Sequence, residues 1–152
     1  MATILVVDDD DDIRELVELA LSSEGHLVAT ARDGAAALEH LEEHQVDLAV
    51  VDVTMPVLGG IGFTAALRSL ERRSYGRRPR TSVVLLSALT SPDDIDAGLA
   101  AGADGYLPKP FRIADLLRVV RVHLARRERA RAGDDADDGE AVEDLCGAWR
   151  SR

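Results

Sequence analysis

The sequence predicts an α/β domain built on a five-stranded parallel sheet, doubly wound with helices on both faces. Two observations carry this: five short apolar runs alternate with helix-length segments, and the runs are continuously apolar rather than alternating with polar residues. Continuous runs such as Ile4-Leu5-Val6-Val7 and Leu48-Ala49-Val50-Val51 mark strands covered on both faces. A composition of 46% hydrophobic and 30% charged residues can bury such a core.

The first strand is expected over Thr3 to Val7, and Ile13, Leu16, Val17, Leu19, Ala20 and Leu21 then recur at helical spacing. A second strand spans His26 to Ala31. Asp33-Gly34 turns the chain and caps a helix that carries Ala37, Leu38 and Leu41. Asp47 to Val51 is the third strand, followed by a helix from Ile61 to Arg72 and an arginine-rich loop to Arg80. Ser82 to Leu86 is the fourth. The next helix, Pro92 to Ala100, has a capping hydroxyl at Ser91 and a proline at its first position. Gly105 to Leu107 is the fifth strand, and a last helix runs from Ile113 to about Arg127. The domain is placed at residues 1–131. Residues 132–152, with Gly133-Asp134-Asp135-Ala136-Asp137-Asp138-Gly139, read as an acidic, disordered tail too short to be a separate DNA-binding domain.

The 18 Lys and Arg against 28 Asp and Glu leave a net charge of -10, so direct DNA binding and attachment to anionic membranes are not expected. No apolar run is long enough to span a bilayer, and Met1-Ala2-Thr3 lacks the basic flank of a signal peptide. A cytoplasmic protein is expected. The single cysteine, Cys146, excludes an internal disulfide and a cysteine-built zinc site. Seventeen of the 18 cations are arginine; the exception is Lys109.

In an open parallel sheet, ligands bind beyond the carboxyl ends of the strands. There the sequence places Asp8 to Asp12, Asp52, Ser87 and Lys109. Asp8, Asp9 and Asp52 would converge as a carboxylate cluster that resists full ionisation unless a cation joins it, and hard oxygen donors favour Mg²⁺. Asp10 to Asp12 fall at a helix start, where acidic residues cap free amides. A carboxylate beside Mg²⁺, a hydroxyl and an ammonium together form a phosphoryl-transfer site, with Asp52 as nucleophile. Lys109 fits this site because a compact ammonium reaches a phosphoryl oxygen as a point charge, whereas a planar guanidinium demands a fork geometry.

Four segments, Ile4-Leu5-Val6-Val7-Asp8-Asp9, Val51-Asp52-Val53-Thr54-Met55-Pro56, Val84-Leu85-Leu86-Ser87-Ala88 and Gly102-Ala103-Asp104-Gly105-Tyr106-Leu107-Pro108-Lys109-Pro110-Phe111, stand in order. From Thr3 to about Arg127 the chain resembles the receiver domain of bacterial two-component response regulators. The resemblance implies a flavodoxin-like sheet of order 2-1-3-4-5 and a phosphorylation-dependent switch. It implies that Asp52 is the phosphoacceptor, that Asp9 binds Mg²⁺ directly and Asp8 largely through water, and that the Thr54 carbonyl completes the metal site. Ser87 would hydrogen-bond the phosphoryl group, Lys109 would pair with it, and Tyr106 would be the switch aromatic on the face of the fourth helix, fifth strand and fifth helix. A cis peptide is implied before Pro110. The implied partners are a sensor histidine kinase or histidine phosphotransfer protein and an unidentified downstream protein. Gly59, where the family usually has aspartate, and the long Arg72 to Arg80 connection depart from the pattern.

A second reading is a phosphatase similar to the haloacid-dehalogenase-like enzymes, with Asp8 as nucleophile. It lacks the acidic pair those enzymes carry on a strand after the lysine, since a helix with only Asp115 follows. A phosphorylation-independent scaffold is the third.

Overall fold

The computed structural model describes residues 1–88 and 92–133. Among them, the strands β1 (Thr3–Val7), β2 (Leu27–Ala31), β3 (Leu48–Asp52), β4 (Ser82–Ser87) and β5 (Gly105–Pro108) alternate with helices α1 (Asp11–Ser23), α2 (Gly34–Glu43), α3 (Gly60–Arg73), α4 (Pro92–Ala101) and α5 (Ile113–Arg131). All pairings are parallel, in the order β2-β1-β3-β4-β5. This is the flavodoxin-like order. β1 and β3 lie side by side at its centre, so residues leaving their carboxyl ends emerge together.

The period of two along each strand divides the core. Ile4, Val6, Val50 and Leu86 face Val17 and Leu21 of α1 and Leu116 of α5. Leu5, Val7, Val51 and Leu85 face α2, α3 and α4, against Leu41, Phe63 and Ile95. Aliphatic residues fill both layers, as a chain with 3% aromatics requires.

The structure moves several expected boundaries. β2 starts at Leu27, because His26 lies before the ladder, where its Nδ1 accepts a hydrogen bond from the Ala2 N–H at 3.2 Å. β3 starts at Leu48; the Asp47 carboxylate instead accepts from the Thr3 N–H at 2.9 Å. β3 and β4 run on to the chemically informative residues, so Asp52 and Ser87 are the last residues of strands rather than the first of loops, while β5 ends at Pro108, one residue before Lys109. α5 continues to Arg131, because Ala125 to Arg131 contains strong helix formers and the first residue with positive φ is Gly133, at 75°. The predicted caps at Asp10 and Asp33 are formed: Asp10 accepts from the Asp12 and Ile13 amides and Asp33 from that of Ala36. Ser91 and the acidic segment 134–152, with Cys146 and Trp149, lie outside the described residues.

His123 of α5 gave no sequence signal yet is 3% exposed. A Cβ on Gly105 of β5 would lie 2.5 Å from its Nε2, so the glycine makes room for the imidazole. Burial holds its pKa below the ordinary value, assisted by Arg126 and opposed by Asp104. The unfolded chain therefore binds a proton that the folded chain refuses, and stability should fall as pH drops below about 6.5, by at most about 1.4 kcal/mol per pH unit. His123→Gln should remove that part of the slope. Urea titrations at several pH values between neutrality and mild acid would show it, and parallel slopes in the two proteins would refute it.

Candidate functional site

The carboxyl ends of the central strands bring the predicted acids together. Val7 of β1 pairs with Val51 of β3, so Asp8 and Asp52, each one residue further on, stand abreast. One oxygen from each of Asp8, Asp9 and Asp52 falls within a common span of 4.8 Å. Asp8 is fully buried, Asp52 is 6% exposed and Asp9 faces solvent.

Each buried carboxylate is held in place. Asp8 Oδ1 accepts from the Asp10 N–H at 2.9 Å, and Asp8 Oδ2 accepts from Lys109 Nζ at 2.8 Å. Lys109 Nζ also lies 3.3 Å from Asp52 Oδ2, while Asp52 Oδ1 accepts weakly from the Thr54 N–H at 3.4 Å. Lys109 is positioned in turn by its own N–H, which donates to the Ser87 carbonyl at 2.9 Å, and its peptide bond to Pro110 is cis. Ser87, 1% exposed, thereby ends β4 beside the lysine.

The electrostatics follow from this crowding. Burial raises the Asp52 pKa and the neighbouring Asp8 charge raises it further, against the opposing pull of Lys109. For Lys109, burial acts to lower the pKa, but its contacts with Asp8 and Asp52 outweigh that and leave it raised. The ammonium is therefore a permanent charge. Three carboxylates face one ammonium among the described residues, which leaves two negative charges at an all-oxygen donor set. That donor set and charge suit a hard divalent cation such as Mg²⁺.

The remaining expectations meet a more specific structure. Tyr106 is 4% exposed and packs into the core beneath α4 rather than lying open on its face. A Cβ on Gly98 of α4 would overlap the Tyr106 hydroxyl, so the glycine accommodates the inward ring. Gly59, the departure from the family pattern, is the N-cap of α3 without a side-chain cap bond. A Cβ there would lie 2.6 Å from the Val53 carbonyl oxygen, so an aspartate would require this tight loop to shift. One contributor escaped sequence reasoning: Arg14 Nη1 donates to the Asp8 carbonyl at 2.8 Å and its other nitrogen pairs with Asp11. An exposed-looking arginine in the first turns of an amphipathic helix carries no signal for that role.

The comparisons with known proteins agree. A family model for the response regulator receiver domain matches residues 4–121. The transcriptional regulatory protein PrrA of Mycobacterium tuberculosis is 45% identical over 124 residues, 82% of this chain and 50% of PrrA. The transcriptional regulatory protein CseB of Streptomyces coelicolor is 36% identical over 140 residues, 92% of this chain and 56% of its own. The chain thus spans about half the length of the curated relatives it matches. Among solved structures, the chemotaxis response regulator CheY4 of Vibrio cholerae superposes with a TM-score of 0.73 at 36% identity, covering 81% of this chain and 98% of CheY4. The receiver domain of sensor histidine kinase PA1611 from Pseudomonas aeruginosa, solved with a magnesium ion in its active-site cleft, gives 0.71 at 31% identity, covering 82% and 98%. The phosphatase alternative finds no support in these matches. A strand order that sets Asp8 beside Asp52, an ammonium reaching both, and a family match over most of the folded residues lead to one assignment: the chain belongs to the response regulator receiver domains, the phosphoryl-accepting switches of two-component systems.

Proposed function

We propose that Asp52 is the residue phosphorylated, and that it receives the phosphoryl group from a sensor histidine kinase or histidine phosphotransfer protein. The observation that carries this is its placement: of the three clustered carboxylates, Asp52 ends the central strand β3 and shares Lys109 with Asp8. Asp52 attacks phosphorus as the bond to the donor imidazole breaks, and the imidazole leaves. Asp8, Asp9, Asp52 and the Thr54 carbonyl would hold Mg²⁺, which supplies charge neutralisation for the transferring group. Lys109 moves its hydrogen bond from carboxylate to phosphoryl oxygen, and the Ser87 hydroxyl donates to another. The chain acts as a phosphoacceptor, with at most self-catalysed phosphorylation and dephosphorylation, and works in the cytoplasm. No helix among the described residues is long and apolar enough to cross a membrane.

Residues 1–131 form the switch. Ser87 moving toward the phosphoryl group, with Tyr106 repacking from its present buried place, would alter the α4, β5 and α5 face, where a downstream protein binds; residues 132–152 follow it in sequence as an acidic tail.

Mg²⁺ should stabilise the unphosphorylated protein, because the preformed cluster exists only in the folded chain. At ten times its Kd the gain is about 1.4 kcal/mol, a Tm rise of about 4 °C. Asp9→Ala should abolish the rise, since Asp9 is the exposed member of the cluster and its loss leaves the fold intact. A Tm independent of millimolar Mg²⁺ in the parent protein would sink the metal assignment.

The switch can be tested apart from the metal. Gly98→Ala places a methyl group where the Tyr106 hydroxyl sits, so the ring must leave its inward position without phosphorylation. With 3-fluorotyrosine incorporated, the Tyr106 resonance should move toward that of exposed Tyr75 and lose its response to acetyl phosphate. An unmoved resonance would argue against Gly98 as the determinant.

A further inference from the structure

The opposite end of the sheet carries charge that the phosphoryl site does not use. α3 and α5 both end there, and two adjoining depressions open between them. One is lined by Arg72, Arg78 and Arg80 beside the inner pair Arg68 and Glu71; the other by Arg80, Arg127 and Arg131. The inner guanidiniums are satisfied locally: Arg68 and Arg80 share Asp104, and Arg127 pairs with Asp47. The outer ones lack a carboxylate, although Arg78 Nη2 donates to the Glu42 carbonyl at 3.5 Å. Arg72, Arg78 and Arg131 make no ion pair with a carboxylate among the described residues. Arg78 Nη1 is in addition buried with no hydrogen-bond partner there, a costly state for a charged donor.

The acidic cluster cannot neutralise this surface. Asp47 and Asp52 bound β3 at its two ends, about 16 Å apart by the rise of a strand, against a Debye length of about 8 Å at physiological ionic strength. An anion at the arginine end itself would complement these guanidiniums.

The chain supplies one next to it. Residues 134–144 hold seven carboxylates and no cation. The helix that leads to them ends at Arg131, which lines one of the depressions, so the first aspartate follows the arginine surface by three residues. Eight extended residues reach about 27 Å, and the two depressions adjoin at Arg80, which lines both. Tethering gives such a short segment a millimolar effective concentration, so weak ion pairs suffice to hold it. We infer that the arginine surface at the amino ends of the strands is the docking surface of this chain's own acidic segment, 134–144. The contact is electrostatic and weakens as salt rises.

Cys146 is the only cysteine, so a nitroxide attached to it reports where the segment lies in the full chain. At low salt, the amide signals of Arg77, Arg78 and Arg80 should lose more than about half their intensity, and that loss should shrink severalfold in about 0.5 M NaCl. Replacing Asp134, Asp135, Asp137 and Asp138 by asparagine keeps the tether and removes the charge; it should shrink the loss equally. The same loss with the neutral segment would overturn the inference, because a tether alone would then explain it. A loss seen only between isotope-labelled and spin-labelled molecules in a mixture would overturn it in favour of a second copy. So would a short DNA duplex that shifts these amides as strongly in the parent chain as in the asparagine variant, since the surface would then be open.

Discussion

Asp52→Asn is expected to take labelling by acetyl phosphate to background, a loss of more than about a hundredfold, while leaving a protein more stable than its parent in the absence of metal. The first effect is chemical: an amide oxygen at the end of β3 is a far weaker nucleophile than a carboxylate and cannot yield the acyl phosphate. The second is electrostatic. Asp52 is buried beside Asp8, with one ammonium between two carboxylates, and this crowding raises its pKa. Removing the charge should stabilise the fold by on the order of 1 kcal/mol, the scale of one like-charge contact in a partly screened site. The sign can be checked against pH. A raised folded pKa means the parent gains stability by protonating Asp52 as pH falls, so the advantage of asparagine is present at neutral pH and vanishes below the ordinary carboxylate range. Mg²⁺ should reverse the order, since the variant loses one of its ligands. Retained labelling at another residue, above all Asp8, would revive the phosphatase reading and overturn the assignment of Asp52.

Asp52 and its neighbours were legible in the amino-acid sequence. The strands could be read because a buried parallel strand is an uninterrupted apolar run, and a run of that kind draws attention to the polar residue at its carboxyl end. Asp8, Asp52, Ser87 and Lys109 all stand at such ends. The lone lysine among arginines was informative because it singled out the cation that the structure places against Asp8 and Asp52. The exact strand ends were not legible, since Asp52 and Ser87 complete ladders through backbone hydrogen bonds to which a polar side chain is no obstacle. Contacts made by sequence-distant residues left no trace either. Nothing local to Gly98 announces that it faces Tyr106, and nothing in an α5 rich in arginine announces that His123 is buried under β5. Arg68 is the largest case. On α3 it precedes Glu71 by three positions and reads as half of an exposed helix pair worth a few tenths of a kcal/mol.

In the structure Arg68 is 7% exposed and joins three segments. Its Nη1 donates to Glu71 Oε1 and to the Thr81 carbonyl, both at 2.7 Å; its Nε donates to the Gly102 carbonyl and its Nη2 to Asp104 Oδ2, both at 3.0 Å. The two carboxylates are committed elsewhere as well, Glu71 to the Thr81 N–H at 2.7 Å and Asp104 to the Val83 N–H at 2.8 Å. The guanidinium thus ties α3 to the start of β4 and to the turn that ends α4. That turn depends on Gly102, whose φ of 108° suits glycine and whose missing Cβ leaves room for the Arg68 stem. Arg68→Met retains most of the aliphatic packing but takes a donor from two partly buried carboxylates and two carbonyls, and leaves Glu71 without a cation. A buried pair broken on one side costs about 3–5 kcal/mol, which for a domain of this size lowers Tm by roughly 10–20 °C. Arg68→Lys should recover only part of this, because one ammonium cannot span four acceptors that a planar fork reaches together. The loss should be confined to stability. Arg68 sits at the amino ends of the strands, away from Asp52, so below its melting point Arg68→Met should take phosphoryl groups from acetyl phosphate to the same stoichiometry as the parent. A loss under about 1 kcal/mol would show instead that desolvation of the guanidinium offsets its four hydrogen bonds. A folded variant that no longer accepts phosphate would show that the two ends of the sheet are coupled through α3.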